Sequence, residues 1–193
     1  MPTIWITGDA AADALLGSDP LALLLGMALD QQIPMEKAFS GPAVLRERLG
    51  HLDAARIAEL PEEEFLVAMK GPPAVHRFPG SMGKRVQELC AVIAADYDND
   101  AARIWEGVGT GAELLARLEA LPGFGNQKAR IFVAVLGKRW KVRPKGWREA
   151  AGAYGLDDAK RSVADVTSKQ SLLEVRAYKQ AAKQAARGAA EQG

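Results

Sequence analysis

The pattern of apolar and polar positions predicts helices along almost the whole chain. Apolar residues recur at helical spacing in segments that end at glycine or proline. The predicted helices cover residues 9–16, 21–32, 34–49, 53–60, 62–69, 82–96, 111–121, 126–137, 147–154 and 172–190. A short helical patch is also expected in the loop 96–111, and Ser81 is expected to cap the helix 82–96. The β-prone run 3–7 is too short to found a sheet. We therefore expect an all-α fold.

The composition is that of a globular protein. The chain has 193 residues, of which 48% are hydrophobic and 25% charged, so it is long enough to bury one sizeable core. The single cysteine, Cys90, excludes an internal disulfide, a structural zinc site of several cysteines and an iron–sulfur cluster. No signal peptide and no membrane-spanning run is recognisable. We expect a cytoplasmic monomer that makes no membrane contact.

The charge distribution is asymmetric although the net charge is only +1. Residues 138–193 contain 13 Lys and Arg against 6 Asp and Glu, a balance of +7, and residues 1–137 have a balance of −6. A basic section beside an acidic one is typical of a protein that meets a polyanion on one face. The alternative is a basic tail that is only solvated.

The most informative segment lies at residues 114–135. Its first helix must end before Pro122, and Gly123 and Gly125 permit a tight turn with backbone angles that other residues avoid. A second helix then begins near Asn126, and its open amide groups attract an anion such as a DNA phosphate. Lys128 adds a cation nearby. The alternative is an ordinary helical hairpin that only packs.

Several segments carry a resemblance to a known family. Leu121-Pro122-Gly123-Phe124-Gly125, followed by Ala129 and an apolar helix, resembles the hairpin of the helix-hairpin-helix–GPD superfamily of DNA glycosylases. The segment 24–50, with its Gln31-Gln32 pair, resembles the family's early helix pair, and segments 54–69 and 82–95 resemble the helices that follow. The resemblance extends over residues 20–155. It implies a two-lobed helical fold that acts on double-stranded DNA in base-excision repair.

The resemblance also implies roles for individual residues. Gln31 and Gln32 match the position from which a side chain enters the duplex as the target base leaves. The alternative is a pair of polar residues at a helix end. The hairpin carbonyls of Glu119, Leu121 and Phe124 match those that hold a monovalent cation, Na⁺ or K⁺. We expect no other cofactor.

Two departures from the family pattern concern chemistry. The position of the family's lyase lysine holds Gln127, which cannot form a Schiff base, and a helical step of about 100° is expected to swing Lys128 away from the site. We therefore predict no lyase step. At the position of the family's catalytic aspartate, residues 143–147 read Arg-Pro-Lys-Gly-Trp, without a carboxylate. Asp30 and Glu149 are the candidates to replace it. Otherwise, base extrusion and a positioned water suffice, or the protein binds without cutting.

These observations lead to an expected organisation and function. The chain 1–193 forms one unit, with one helical lobe at 34–137 and a second lobe built from 1–33 and 138–193, and DNA lies in the cleft between them. We expect a DNA glycosylase without lyase activity that hydrolyses the N-glycosidic bond of a flipped damaged base. The alternatives are a non-catalytic DNA-binding or lesion-sensing protein of this fold and a protein-interaction module whose hairpin only packs.

Other signals have simpler explanations. Trp147 is expected in the core, although stacking on a flipped base is an alternative. Cys90 is expected in the core, and His51 and His76 are expected to be structural or surface residues because they lack metal-ligand spacing. The glycine-rich stretch 107–111 follows no strand, which argues against a dinucleotide site.

Overall fold

The structure, a computed structural model, describes residues 4–190, and helices dominate this part of the chain. They are α1 Ala10–Ser18, α2 Pro20–Leu29, α3 Met35–Leu49, α4 Ala54–Glu59, α5 Glu62–Lys70, α6 Pro79–Asp96, α7 Gly111–Glu119, α8 Asn126–Val135, α9 Trp147–Ala151 and α10 Lys169–Ala190. Residues 4–190 contain no strand, and the predicted all-α class is confirmed. Of the β-prone run, Thr3 lies outside the described residues, and residues 4–7 form no strand and no β-bridge.

Several helices begin at a residue whose side chain satisfies one of their first amide groups. The side chains of Asp9, Asp19, Asp53 and Thr110 each accept a backbone N–H at the start of a helix. The predicted cap at Ser81 is wrong, because α6 already begins at Pro79 and Ser81 lies inside its first turn. Proline suits the first helical position, where its missing N–H would have had no partner.

Helix α2 forms the centre of the N-terminal half. Every residue from Leu21 to Leu29 is buried, and α3 crosses α2 at very short range. A Cβ atom added at Gly26 would lie 2.7 Å from the Phe39 ring, and one at Gly41 would lie 2.6 Å from the Leu29 side chain. Helix α2 ends at Leu29 rather than at residue 32, so the Gln31-Gln32 pair lies in the turn before α3.

Helices α7 and α8 form a hairpin joined by residues 120–125. Phe132 of α8 packs edge-on against Phe124 of this turn and against Trp105, with ring centroids 5.9 and 6.0 Å apart. Helix α9 covers both helices, and its Trp147 is buried, as predicted for a core tryptophan. A Cβ at Gly137 would lie 2.3 Å from the Trp147 ring, which shows how closely α9 is seated.

The C-terminal segment is held to this body by a buried ion pair and by α10. A short helical turn, Val163–Asp165, brings Asp165 to Lys138, whose Nζ lies 2.5 Å from its Oδ1. Helix α10 then begins at Lys169, and its Leu172 and Val175 are buried. Beyond Val175 the described side chains of α10 are exposed.

No single helix among the described residues is long and apolar enough to cross a membrane. Together, α1 and α2 have the necessary length and composition, but they meet at an angle of 114°.

Candidate nucleic-acid interface

The turn between α7 and α8 presents backbone amides to solvent. Gly123 has a φ of +80°, and the N–H of Phe124 donates to the Leu121 carbonyl over 3.1 Å. Gly125 precedes α8 at a φ of −77° without a side-chain cap. Within the described part of the chain, no acceptor meets the amides of residues 126–128, and Gly125 is exposed. These amides and the positive end of the α8 dipole form a site suited to an anion.

Hydrogen bonds to side chains of α7 and α8 hold this turn in place. The Asn126 side chain donates to the carboxylate of Glu119 in α7 and accepts from Arg130 Nε in α8 at 2.9 Å. The Phe124 ring, 4% exposed, points into the core beside Phe132. The two glycines therefore lie on a rigid loop, with the apolar residue inward and the small residues outward.

The turn carbonyls are compatible with the monovalent cation that the resemblance implies. The carbonyls of Glu119 and Phe124 accept no described hydrogen bond, and that of Leu121 accepts one and keeps a second lone pair. Hard cations take such oxygen ligands. Among the described residues there is no group of three or more His, Cys, Asp and Glu that could hold a metal ion.

The Gln31-Gln32 pair lies in a tight, strained turn. Gln31 donates its N–H to the Leu29 carbonyl at 2.7 Å, and Gln32 has a φ of +57°, which costs energy for a residue other than glycine. His76 holds this turn: its Nδ1 accepts the Phe78 N–H at 3.0 Å, so Nε2 carries the proton and donates to the Gln31 carbonyl at 2.8 Å. Burial lowers the pKa of His76. His76 therefore has a structural role, which is one of the two roles predicted for it from the sequence.

Arg85 of α6 connects the Gln31-Gln32 turn to the hairpin. Its Nη1 donates to Gln31 Oε1 at 2.8 Å, while a Cβ atom added at Gly123 would lie 2.6 Å from its Cδ. The hairpin turn and the Gln31-Gln32 turn therefore face one another across a single arginine side chain, although they are far apart in the chain.

A small cavity opens beside the Gln31-Gln32 turn. Its volume is about 120 Å³, and it is lined by Gln31, Gln32, His76, Phe78, Ser81, Met82 and Arg85. Phe78 is 44% exposed, and the Arg77 guanidinium lies 5.1 Å from its ring centroid. The cavity thus offers an aromatic face, amide groups and a cation, which together can contact a planar polar ring.

A carboxylate and two lysines meet at the end of α2. Burial raises the pKa of Asp30, and the charges of Lys179 and Lys128 oppose that shift. Lys179 Nζ lies 3.9 Å from Asp30 Oδ2. Burial lowers the pKa of Lys128 to about 8, and Asp30 acts in the opposite direction. Lys128 Nζ also donates to the Ala28 carbonyl at 3.0 Å.

Lys128 and Gln127, adjacent in α8, have different surroundings. The helical step does separate Lys128 from Gln127, whose side chain donates to the Tyr154 hydroxyl over 3.0 Å. The step turns Lys128 toward Asp30 and the end of α2. The reason is that α8 presents residue 128, and not residue 127, to α2.

The second candidate carboxylate lies elsewhere. Glu149 is exposed in α9, and among the described residues it makes no hydrogen bond or ion pair to the cluster around Asp30. Lys145 pairs through its backbone with residues 109–111: the Gly111 N–H donates to the Lys145 carbonyl at 2.8 Å. A Cβ at Gly111 would lie 2.5 Å from the Gly146 carbonyl, so Gly111 permits the close packing of α7 against this segment.

Sequence reasoning missed four residues of this interface, namely His76, Phe78, Arg85 and Lys179. Each lies in a helix or loop whose local pattern gives no sign of the Gln31-Gln32 turn, and each reaches it only through the fold. The one available signal was the Arg77-Phe78 pair before Pro79, because an aromatic residue beside a cation outside a helix is a common binding element.

The chain matches no family model, no curated protein and no solved structure. The properties of the interface therefore rest on its own chemistry, which combines open amides, several cations and one buried carboxyl group.

Proposed function

We propose that this protein binds double-stranded DNA and hydrolyses the N-glycosidic bond of an extruded, damaged base. The observation that carries the proposal is the convergence of the hairpin turn and the Gln31-Gln32 turn on Arg85. An ordinary packing hairpin has no reason to expose its amides beside a strained polar turn. The two-lobed arrangement, with lobes at 34–137 and at 1–33 with 138–193, remains part of this proposal.

The hairpin supplies the backbone grip. A phosphate accepts hydrogen bonds from the open amides of residues 126–128, and Gly125, where a Cβ would meet nothing within 4 Å, lets it approach the main chain. Backbone amides carry no base preference, so this contact sets position and not sequence. Na⁺ or K⁺ held by the carbonyls of Glu119, Leu121 and Phe124 would add a positive charge at the phosphate.

The Gln31-Gln32 turn and Phe78 act on the bases. An extruded nucleotide leaves a gap in the stack, and a glutamine side chain can fill it because it both donates and accepts hydrogen bonds. The exposed ring of Phe78 stacks on a neighbouring base. His76 is the positioning residue, since it fixes the backbone from which the glutamines project.

Asp30 is the group best placed for bond cleavage. As a carboxylate it accepts a proton from water, whose oxygen bonds to the sugar C1′ while the C1′–N bond breaks and its electron pair leaves with the base. The negative charge of Asp30 also stabilises positive charge that develops on the sugar. Lys179 and Lys128 favour this charged form against the burial that disfavours it.

A second function, DNA binding without cleavage, has one observation in its favour. Lys145 and Gly146 occupy the place where the resemblance calls for a carboxylate, and Lys145 is tied through its backbone to the start of α7. A protein that only senses lesions would keep the hairpin and the Gln31-Gln32 turn and have no use for Asp30.

Cleavage assays on lesion-bearing duplexes test the proposal. Purified protein is incubated with duplexes that carry alkylated, deaminated or oxidised bases, and alkali then converts abasic sites to strand breaks. We expect product on at least one lesion with the wild type. We expect that Asp30→Asn lowers the rate at least 100-fold, because general-base catalysis contributes about 10²–10⁴-fold.

The matched control is Glu149→Gln, which removes the other candidate carboxylate from outside the cluster and should cleave like the wild type. Loss of activity in Glu149→Gln alone would move the catalytic role away from Asp30. Tight binding of duplexes without product on any lesion would establish the second function, and a wild type that does not bind duplex DNA would refute both.

A further inference from the structure

The C-terminal helix α10 carries a basic stripe on the side that faces the protein body. Leu172 and Val175 define this side, because both are buried. Arg176, Lys179 and Lys183 continue it at spacings of three and four residues, which places them along one face of a helix. From residue 176 to residue 190 the sequence contains no Asp or Glu.

The stripe begins at the candidate interface. Arg176 pairs with Glu36 near the start of α3, and the next residue along the stripe, Lys179, lies 3.9 Å from Asp30. One helical turn further, Lys183 is exposed and has no ion-pair or hydrogen-bond partner among the residues that the structure describes. The stripe therefore leads from the end of α2 outward into solvent.

Several of the other basic side chains in residues 138–193 have partners within the protein, some of them at the surface. Lys138 pairs with Asp165, Arg139 donates to the Ala164 carbonyl, Arg143 donates to the Gly137 carbonyl, Arg148 pairs with Asp157, and Lys160 pairs with Glu174. These ion pairs offset part of the +7 balance of this section, whereas Lys183 has no ion-pair partner among the described residues.

We propose that this face of α10, the stripe of Arg176, Lys179 and Lys183, is a second contact to the DNA backbone beside the extruded nucleotide. The inference rests on the proposed function. From Lys179 to Lys183 the helix advances about 6 Å, at 1.5 Å per residue. This step spans about two base pairs of a strand that rises 3.4 Å per nucleotide, so successive lysines reach nearby phosphates.

The alternative polyanion, a lipid surface, fits this helix poorly. A helix that lies on a membrane needs a large apolar face opposite its cations. Between residues 176 and 186 the only large apolar side chain is Tyr178, whose hydroxyl accepts a hydrogen bond from Arg161 over 2.6 Å. Apart from Tyr178 and the three basic residues, this stretch is alanine and glutamine, which favours a contact with phosphates alone.

The salt dependence of DNA affinity tests the inference. The dissociation constant of a duplex that extends well beyond the lesion on both sides is measured from 50 to 300 mM salt for the wild type, Lys183→Gln and Lys169→Gln. Lys169 is the matched control, because it is an exposed lysine at the other end of α10. We expect Lys183→Gln to bind several-fold more weakly and to lower the log–log salt slope by about 1.

Two outcomes would overturn the inference. In the first, Lys183→Gln keeps the wild-type slope while Gly125→Ala at the hairpin weakens binding, so that only the α10 contact fails and the proposed function stands. In the second, the wild type binds vesicles of phosphatidylserine in a way that Lys183→Gln abolishes. A wild type that binds no duplex at all would instead refute the proposed function.

Discussion

At the scale of residues, the protonation of one side chain, Lys128, makes the charge of the interface depend on pH. It is largely enclosed between α8 and the end of α2, where its ammonium group donates to the Ala28 carbonyl. Burial lowers its pKa to about 8, whereas an exposed lysine titrates near 10.4. Below pH 8 Lys128 is a cation beside Asp30 and Arg85, and above pH 8 it becomes neutral.

We therefore expect DNA affinity to fall several-fold between pH 7 and pH 9. Phosphate binding favours the protonated lysine, so the complex takes up a proton in this range and weakens as protons become scarce. Fluorescence anisotropy with a labelled duplex at constant salt measures this. In Lys128→Gln the dissociation constant should be the same at both pH values, and Lys84→Gln, an exposed neighbour of Arg85, should keep the wild-type dependence. An unchanged pH response in Lys128→Gln would contradict the assignment.

At the scale of elements, the two glycines of the hairpin turn have different roles. Gly123 needs its positive φ, so any side chain there strains the backbone. Gly125 has an ordinary φ of −77°, and a Cβ at this position meets nothing within 4 Å. A methyl group at residue 125 therefore leaves the fold unchanged and obstructs only what approaches from outside.

Gly125→Ala should consequently keep the stability of the wild type within about 0.5 kcal/mol and lose at least ten-fold in DNA affinity. Urea unfolding and a binding titration measure the two quantities. The control is Gly109→Ala, at the opposite end of α7, where the nearest atom to a Cβ is 4.0 Å away. Wild-type affinity in Gly125→Ala would mean that no phosphate approaches the turn.

The elements also show what the sequence could and could not predict. Helical periodicity, prolines and glycines predicted the number and order of the helices, and for the hairpin also its turn, because these signals are local. The early end of α2 was not predictable, since His76, distant in the chain, stabilises the turn at Gln31-Gln32. The position of Lys128 depended on the rotation of α8 against α2, which only tertiary packing determines.

At the scale of the whole molecule, some basic residues stabilise the fold and others remain at the surface. Lys138 is the clearest structural case: it and Asp165 are 9% and 3% exposed, and Asp165 also accepts the amides of Arg161 and Ser162. This network attaches the segment before α10 to the end of α8. The basic charge counted from the sequence is therefore larger than the basic charge at the surface, because some basic side chains are buried.

Lys138→Ala is expected to destabilise the protein by about 3 kcal/mol, because it leaves the buried Asp165 without its counter-ion. Urea unfolding measures the loss, and Lys145→Ala, an exposed lysine of the same segment, should change the free energy of unfolding by less than about 0.5 kcal/mol. DNA affinity of the folded Lys138→Ala protein should equal that of the wild type. Equal stability of the two variants would show that the pair is dispensable.

The Arg85 side chain has a consequence for timing. In the absence of DNA its hydrogen bond keeps the Gln31 side chain folded back against α6. Moving the Gln31 side chain away from α6 would break this hydrogen bond, at a cost of about 1 kcal/mol. A phosphate that binds Arg85 beside the hairpin would offset this cost. If the proposed function holds, we therefore expect a phosphate to engage Arg85 before the Gln31 side chain is released toward the bases.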